Sequence, residues 1–310
     1  MQFWWSACYN TLMKTNELTS DLQAAEAGRL MMAQQFAMIL HHEQQVHADA
    51  DLTAVHEMRK AIRRTFTSFK LFESYFKPGT IKPYRRGLRR IMRRLGRSRD
   101  LAVLRFKLDI YNESVDQPLD DLASYWQLQQ KIADDTLMKY LDKPNQQAFL
   151  VKYREFIETS GLGNLPTVDP WVSVKIGHIA PVLIYQRVAA VQSYGAFLQN
   201  ATAKHLHRLR IQFKELRYTL QFFAPLLGTE TQVLLVSLKQ SQEHLGDLND
   251  ATVALRLLDD AIGLETSIAQ YQTYQQNEVE RLVRTYSPVW QGFYGRDWRR
   301  NLADAIASLY

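Results

Sequence analysis

Fifteen Lys or Arg residues stand between Val55 and Asp100, against only Glu57, Glu73 and Asp100. The chain of 310 residues has a formal charge of only +6, so everything outside this stretch is net acidic. Cations this concentrated suit a polyanion, held by charge neutralisation and by forked guanidinium contacts. Spacing sharpens that reading. On a helix turning 100° per residue, His56, Arg59, Arg63 and Lys70 lie directly beside an apolar stripe of Val55, Met58, Ile62, Phe66, Phe69 and Phe76. These cations therefore border a buried face and do not occupy the fully wet one. In the next segment Arg86, Arg90, Arg93 and Arg97 follow at i, i+4, i+7 and i+11, broadened by Arg85 and Arg89, with Leu88, Ile91, Met92 and Leu95 on the apolar side. Cations one helical turn apart rise about 5.4 Å along the axis, a spacing that can follow successive anionic groups.

Other chemistries find less support. A solvated basic face is the ordinary meaning of such a helix, but i,i+4 Glu partners are nearly absent here, and like charges at that spacing repel. Asp100 and Asp250 read as helix caps or arginine-orienting groups in preference to catalytic acids. Phosphohydrolase or kinase activity needs carboxylates that hold Mg²⁺ inside the basic region. Glu57 and Glu215 project about 100° from the neighbouring histidines, and no Gly-rich phosphate loop appears. His41, His42 and His47 do not make a convincing metal set. The HEMRK run is not HExxH, because Lys60 stands in the place of the second histidine. The lone Cys8 excludes an intramolecular disulfide and a cysteine-based zinc site, which fits a reducing cytosol. We expect no metal and no cofactor.

The elements that must position these residues are helices. Gly (13) and Pro (9) are scarce, and no long Val/Ile/Thr alternation appears, so the fold reads as all-α. Residues 1–18 read as an N-terminal extension. Helices are expected from Thr19 to His42, then from a cap at Asp51 to Lys77, then over the arginine segment to Gly96. Ser98 or Asp100 would cap a further helix to Ile110. Two more follow, over 119–141 and 144–160. The Gly- and Pro-rich run 161–170 reads as a linker. A helix over Trp171–Phe197, one over 206–228, one over 231–245 and two in the tail, 264–285 and 288–309, complete the pattern. No run is long and apolar enough to span a membrane.

After the linker the pattern begins again. In LHRLRIQFKELRYTLQFF, His207 falls on His56, Arg210 on Arg59 and Lys214 on Arg63, while Arg217 adds a cation one turn on. Leu206, Leu209, Phe213, Leu216, Leu220 and Phe223 repeat the apolar stripe. LGDLND at 245–250 answers LGRSRD at 95–100 at nearly the same distance from its histidine. Two marks agreeing at one offset indicate an internal duplication, with one helical bundle over 19–160 and another over 171–310.

A paired His-x-x-Arg helix, each copy followed by Leu-Gly-x-x-x-Asp, resembles the CHAD family (conserved histidine α-helical domain). The elements VHEMRKAIRR, LRRIMRRLGRSRDLAVL, LHRLRIQFKELRY and LKQSQEHLGDLNDATVAL occur in the family's order and spacing. The resemblance implies two pseudo-symmetric four-helix bundles with a basic cleft or pore between them. It further implies non-catalytic binding of inorganic polyphosphate, at polyphosphate granules in the cytoplasm; phosphate or sulfate can occupy such a site. The binding positions it implies are His56, Arg59, Arg63 and Arg64, then Arg86, Arg89, Arg90, Arg93, Arg94 and Arg97. In the second copy they are His207, Arg210, Lys214, Arg217 and Lys239. That copy departs from the pattern: Glu215 stands where Arg64 does, and Gln242 and Glu243 replace arginines. The halves are thus expected to contribute unequally. Both histidines are expected to donate to phosphate oxygens, more strongly in mild acid. An RNA-binding or general polyanion-binding module is the alternative, since basic helices also grip phosphodiester backbones. Exposed aromatics for stacking are not interleaved with the cations.

Overall fold

The apolar stripes read from the sequence become the interior of the fold. In a computed structural model the described residues are 18–49, 52–166, 174–259, 261, 264–293 and 295–310. The cap expected at Asp51 and the extension over 1–17 lie outside them. The helices are α1 Ala24–Asp49, α2 Leu52–Phe72, α3 Lys82–Glu113, α4 Asp120–Leu141, α5 Pro144–Glu158, α6 Ile176–Gln192, α7 Ala203–Phe223, α8 Thr231–Leu258, α9 Glu265–Arg284, α10 Tyr286–Gln291 and α11 Arg296–Ala307. No strand occurs among the described residues, and the chain is all-α. Val55, Met58, Ile62, Phe69 and Phe76 are buried, as are Leu206, Leu209, Phe213, Leu216, Leu220 and Phe223. Phe66 is half-buried against them. None of the helices is long and apolar enough to cross a membrane, among the described residues.

Several boundaries differ from expectation. α1 continues through His47 to Asp49, so the His41–His47 run is helical and not a loop. α2 stops at Phe72 and hands over to a 3₁₀ turn, Glu73–Tyr75. α6 begins at Ile176 and ends at Gln192, followed by a 3₁₀ segment over Gly195–Asn200. The expected C-terminal helix over 288–309 is two, α10 and α11. Thr202 caps α7 through a reciprocal box with His205, four residues before the expected start. The described part of the expected linker is tied down: Lys77 N–H donates to Gly163 O (2.8 Å), and Gly161 N–H donates to Glu26 Oε1 (2.7 Å). Residues 167–173 lie outside the described set.

The largest difference is that α3 and α8 are each one long helix, of 32 and 28 residues. Gly96 and Ser98 do not end anything. Ser98 is buried, and its Oγ donates to Asp134 Oδ1 (2.5 Å), joining α3 to α4. Both long helices pass through two separate apolar clusters. Leu88, Ile91 and Leu95 of α3, with Leu238, Leu245 and Leu248 of α8, belong to the larger cluster, which draws on both halves of the chain. Leu101, Leu104 and Leu108 of α3 and Ala254, Leu257 and Leu258 of α8 belong to the smaller, completed by Trp126 and Tyr271. Contacts across the middle join α1 to α6, α2 to α7, α3 to α8 and α4 to α9.

One buried acid yields a test of this packing. Glu43 on α1 is buried, takes a long hydrogen bond from Gln147 Nε2 (3.5 Å), and lies near Asp142. Burial pushes its carboxyl up to about 7. The folded state therefore holds this proton more tightly than the unfolded chain. The corresponding stability is fully present below the ordinary carboxyl range and lost as pH rises through about 7. Glu43→Gln is expected to raise the melting temperature at pH 8 by a few degrees, on the scale of about 1–2 kcal/mol, and to change it little at pH 5. Thermal melts at the two pH values check this.

Candidate functional site

Where the two long helices pass from one apolar cluster to the other, polar residues replace apolar ones, and a cavity of about 180 Å³ opens. α2 supplies His56, Arg59, Lys60 and Arg63; α3 supplies Arg99, Asp100, Val103, Leu104 and Lys107. α7 supplies Arg210, Lys214, Arg217 and Tyr218, and α8 supplies Asn249, Asp250 and Val253. Eight of these sixteen side chains are Lys or Arg and two are Asp.

Each of the two histidines is met by a side chain of a long helix. Arg99 Nε donates to His56 Nδ1 (3.2 Å), while His207 Nδ1 lies 3.1 Å from Asn249 Oδ1. His56 is therefore a neutral acceptor. Burial, then the charge of Arg99, hold its pKa below the ordinary histidine value. In the free protein these surroundings work against the charging of His56 that was expected in mild acid. Asp100 caps no helix; it sits 3.7 Å from Arg59 and 4.0 Å from Arg256. Lys107 reaches Asp247 (3.0 Å) and Asp250 (4.0 Å). Both carboxylates of the cavity thus orient or partly neutralise its cations, which still outnumber them.

Burial and mutual repulsion strain this cluster. Arg59 is brought down to about 10, first by burial and then by Arg63, with Asp100 opposing. Arg210 is lowered by burial and by Arg63. Lys214 falls to about 6, through burial and then Arg63 and Arg210. Arg59 Nη1, Arg210 Nε and Arg217 Nε are buried donors with no acceptor among the described residues. An orphaned charged donor is costly, and all three of these arginines line the cavity. Gly96 explains how Arg59 gets there: a Cβ at Gly96 would come within 2.9 Å of Arg59 Nη1. A glycine inside a helix costs about 1 kcal/mol relative to Ala; here it lets the guanidinium pass close beneath α3.

Of the expected binding residues, His56, Arg59, Arg63, Arg210, Lys214 and Arg217 line the cavity, and His207 sits beside it on Asn249. Arg64 does not line it: its Nη2 donates to Gln221 Oε1 (3.2 Å) and its guanidinium lies over Tyr218 (5.7 Å). Arg86, Arg89, Arg90, Arg93 and Arg94 are exposed on the first half of α3, and Arg97 is half-buried at its inner end. This ridge lies outside the cavity. Lys239 is exposed, pairs with Glu243 (3.4 Å), and is also outside. Lys70 is drawn away by Glu215 (2.6 Å), which Arg187 also holds (2.8 Å). Lys60, Arg99, Lys107, Asn249 and Tyr218 were missed. The offset that pairs Asp100 with Asp250 also pairs Arg99 with Asn249, and Lys107 follows Asp100 by two turns; those were the available signals. No group of three His, Cys, Asp or Glu among the described residues is placed to hold a metal ion.

Comparison with known proteins gives consistent findings on the fold. The family model described as CHAD domain matches residues 30–259. The crystal structure of the CHAD domain from the plant Ricinus communis is similar over 94% of this chain and 95% of that one, at TM-score 0.69 and 24% identity. PptA from Streptomyces chartreusis is similar over 87% of this chain and 100% of that one, at TM-score 0.60 and 14% identity. No curated protein matches.

Proposed function

We propose, from the premise that this chain belongs to the CHAD domain family, that its halves are pseudo-symmetric helical bundles and that the basic cleft between them binds inorganic polyphosphate without catalysis. The observation that carries this reading is the gathering of eight Lys and Arg side chains against two Asp around one cavity, three of them (Arg59, Arg210 and Arg217) with a buried donor that has no acceptor among the described residues. Polyphosphate supplies acceptors in series and offers no base to read, so charge and forked contacts are all that recognition requires. At about 180 Å³ the cavity is smaller than the roughly 300–1,000 Å³ of drug-sized sites, and suits a few phosphate units.

RNA is the weaker fit. Tyr218 is the aromatic of the cavity wall; it is 5% exposed, with Arg64 and Arg217 over its ring. No open ring face is left there for a base to stack on. A polyphosphate longer than the cavity has a continuation on one side only. Arg86, Arg89, Arg90 and Arg93 have no ion pair among the described residues. With Arg97 they span twelve residues of α3, about 16 Å, and α8 carries nothing comparable. The first half therefore dominates the affinity for long chains. We place the protein in the cytoplasm, at polyphosphate granules.

Calorimetric titration with long-chain polyphosphate, repeated at raised salt and with RNA matched per phosphate as competitor, tests the reading. Tight binding that weakens with salt and resists RNA is expected. Equal competition by RNA would make the protein a general polyanion binder, and no binding to either polymer would leave the cavity without this role.

A further inference from the structure

Lys214 stands apart from the other lysines near the cavity and on its flanks. Lys60, Lys70, Lys107 and Lys239 each have a carboxylate oxygen 2.6–3.4 Å from Nζ. Lys214 has none within 4.0 Å among the described residues. The charged groups that face it are Arg63 on α2, Arg210 and Arg217 on its own helix, and Asp250 on α8. His56, Arg59 and Lys60 on α2, with Arg99, Asp100 and Lys107 on α3, complete the cavity wall. From α6, Arg187 holds Glu215, which is engaged there and by Lys70.

Of the cations pressed together here, the guanidinium groups cannot release a proton, whereas an ammonium can. The crowding is relieved at Lys214, whose amine falls to about 6 through burial, Arg63 and Arg210, with Asp250 opposing. A polyanion in the cavity reverses the local field and favours the ammonium form. We propose that Lys214 takes up a proton when an anionic chain enters the cavity, so that binding is coupled to proton uptake. The inference rests on the polyphosphate reading above.

The sign follows directly. A site that gains a proton on binding holds its ligand more tightly as pH falls, by up to tenfold per pH unit for one proton. This dependence belongs above the free-state value of about 6. The test is calorimetry with long-chain polyphosphate, whose terminal phosphates are few, at pH 7 in buffers of different ionisation enthalpy. The buffer dependence of the heat counts protons. The wild type is expected to take up close to one proton per cavity filled, with Kd rising severalfold from pH 7 to pH 8. Lys214→Arg, charged on both sides of the reaction, is expected to lose that proton at whatever affinity it retains. His56→Gln is expected to keep it. Binding whose heat is independent of buffer, or equal uptake in Lys214→Arg, would overturn the proton coupling and leave the polyphosphate reading standing. Absence of binding in every buffer would overturn both.

Discussion

The Arg63→Ala/Arg210→Ala protein is expected to bind long-chain polyphosphate at least a hundredfold more weakly than the wild type, and to melt at a higher temperature without ligand. The two effects share a cause. Arg63 on α2 and Arg210 on α7 sit on opposite walls of the cavity, 147 positions apart in the chain, and each opposes the charge of Lys214. A hydrogen bond to a charged group contributes about 1.5–3 kcal/mol. Losing one such contact from each wall removes about 3–6 kcal/mol, and a hundredfold loss corresponds to about 2.7 kcal/mol. The same deletion removes two half-buried like charges that repel their neighbours in the free protein. Titration and thermal melts of one preparation check both halves. Unchanged affinity would place binding elsewhere, and a lower melting temperature would mean the two guanidiniums hold the fold together.

A second large effect concerns pH and ligand together. In the folded protein Lys214 lies at about 6, well under its ordinary value of 10.5, because of burial and the arginines around it. Between those values the unfolded chain carries a proton that the folded protein does not. Unfolding is then favoured by protons, and stability rises with pH across this window. The free protein is expected to melt higher at pH 9 than at pH 7, and Lys214→Met to remove most of that rise. Polyphosphate at a hundred times its Kd adds about 2.7 kcal/mol, a rise on the order of 5 °C for a chain of this size. At one fixed ligand concentration that rise should be larger at pH 7 than at pH 9, since binding coupled to proton uptake is tighter at the lower pH. Scanning calorimetry at the two pH values, with and without ligand, decides it. An unchanged melting temperature at saturation would remove the cavity as the binding site.

Much of this was legible in the sequence, because helical periodicity states which residues share a face. The stripes of α2 and α7 and the spacing from His56 and His207 to the later aspartates led to five cavity-lining cations and both acids. Two kinds of feature were not legible. Leu88, Ile91 and Leu95 lie along one side of α3, but Leu101 and Leu108 lie about 120° away. A helix that changes its buried side midway looks like two helices in sequence, and Gly96 strengthened that impression. Periodicity also cannot say which polar face another helix will roof. Arg90 and Arg93 remain outside on the ridge, while Arg99, ten residues or fewer further on, is inside because α8 arrives there. Glu215, a departure from the repeat, became a tether for Lys70 and Arg187.

The continuity of α3 and α8 through both apolar clusters carries a kinetic consequence. The cavity walls are the middles of helices anchored at either end, with no loop among the lining residues. Such a wall has nothing to unlatch before a ligand arrives. On the polyphosphate proposal, capture is expected to be governed by diffusion in the field of the α3 arginines, in the range of about 10⁸–10⁹ M⁻¹s⁻¹ that electrostatic steering allows at low salt. Release is governed by how many guanidinium contacts must be broken at once. Chain length should therefore lengthen the residence time far more than it hastens the encounter.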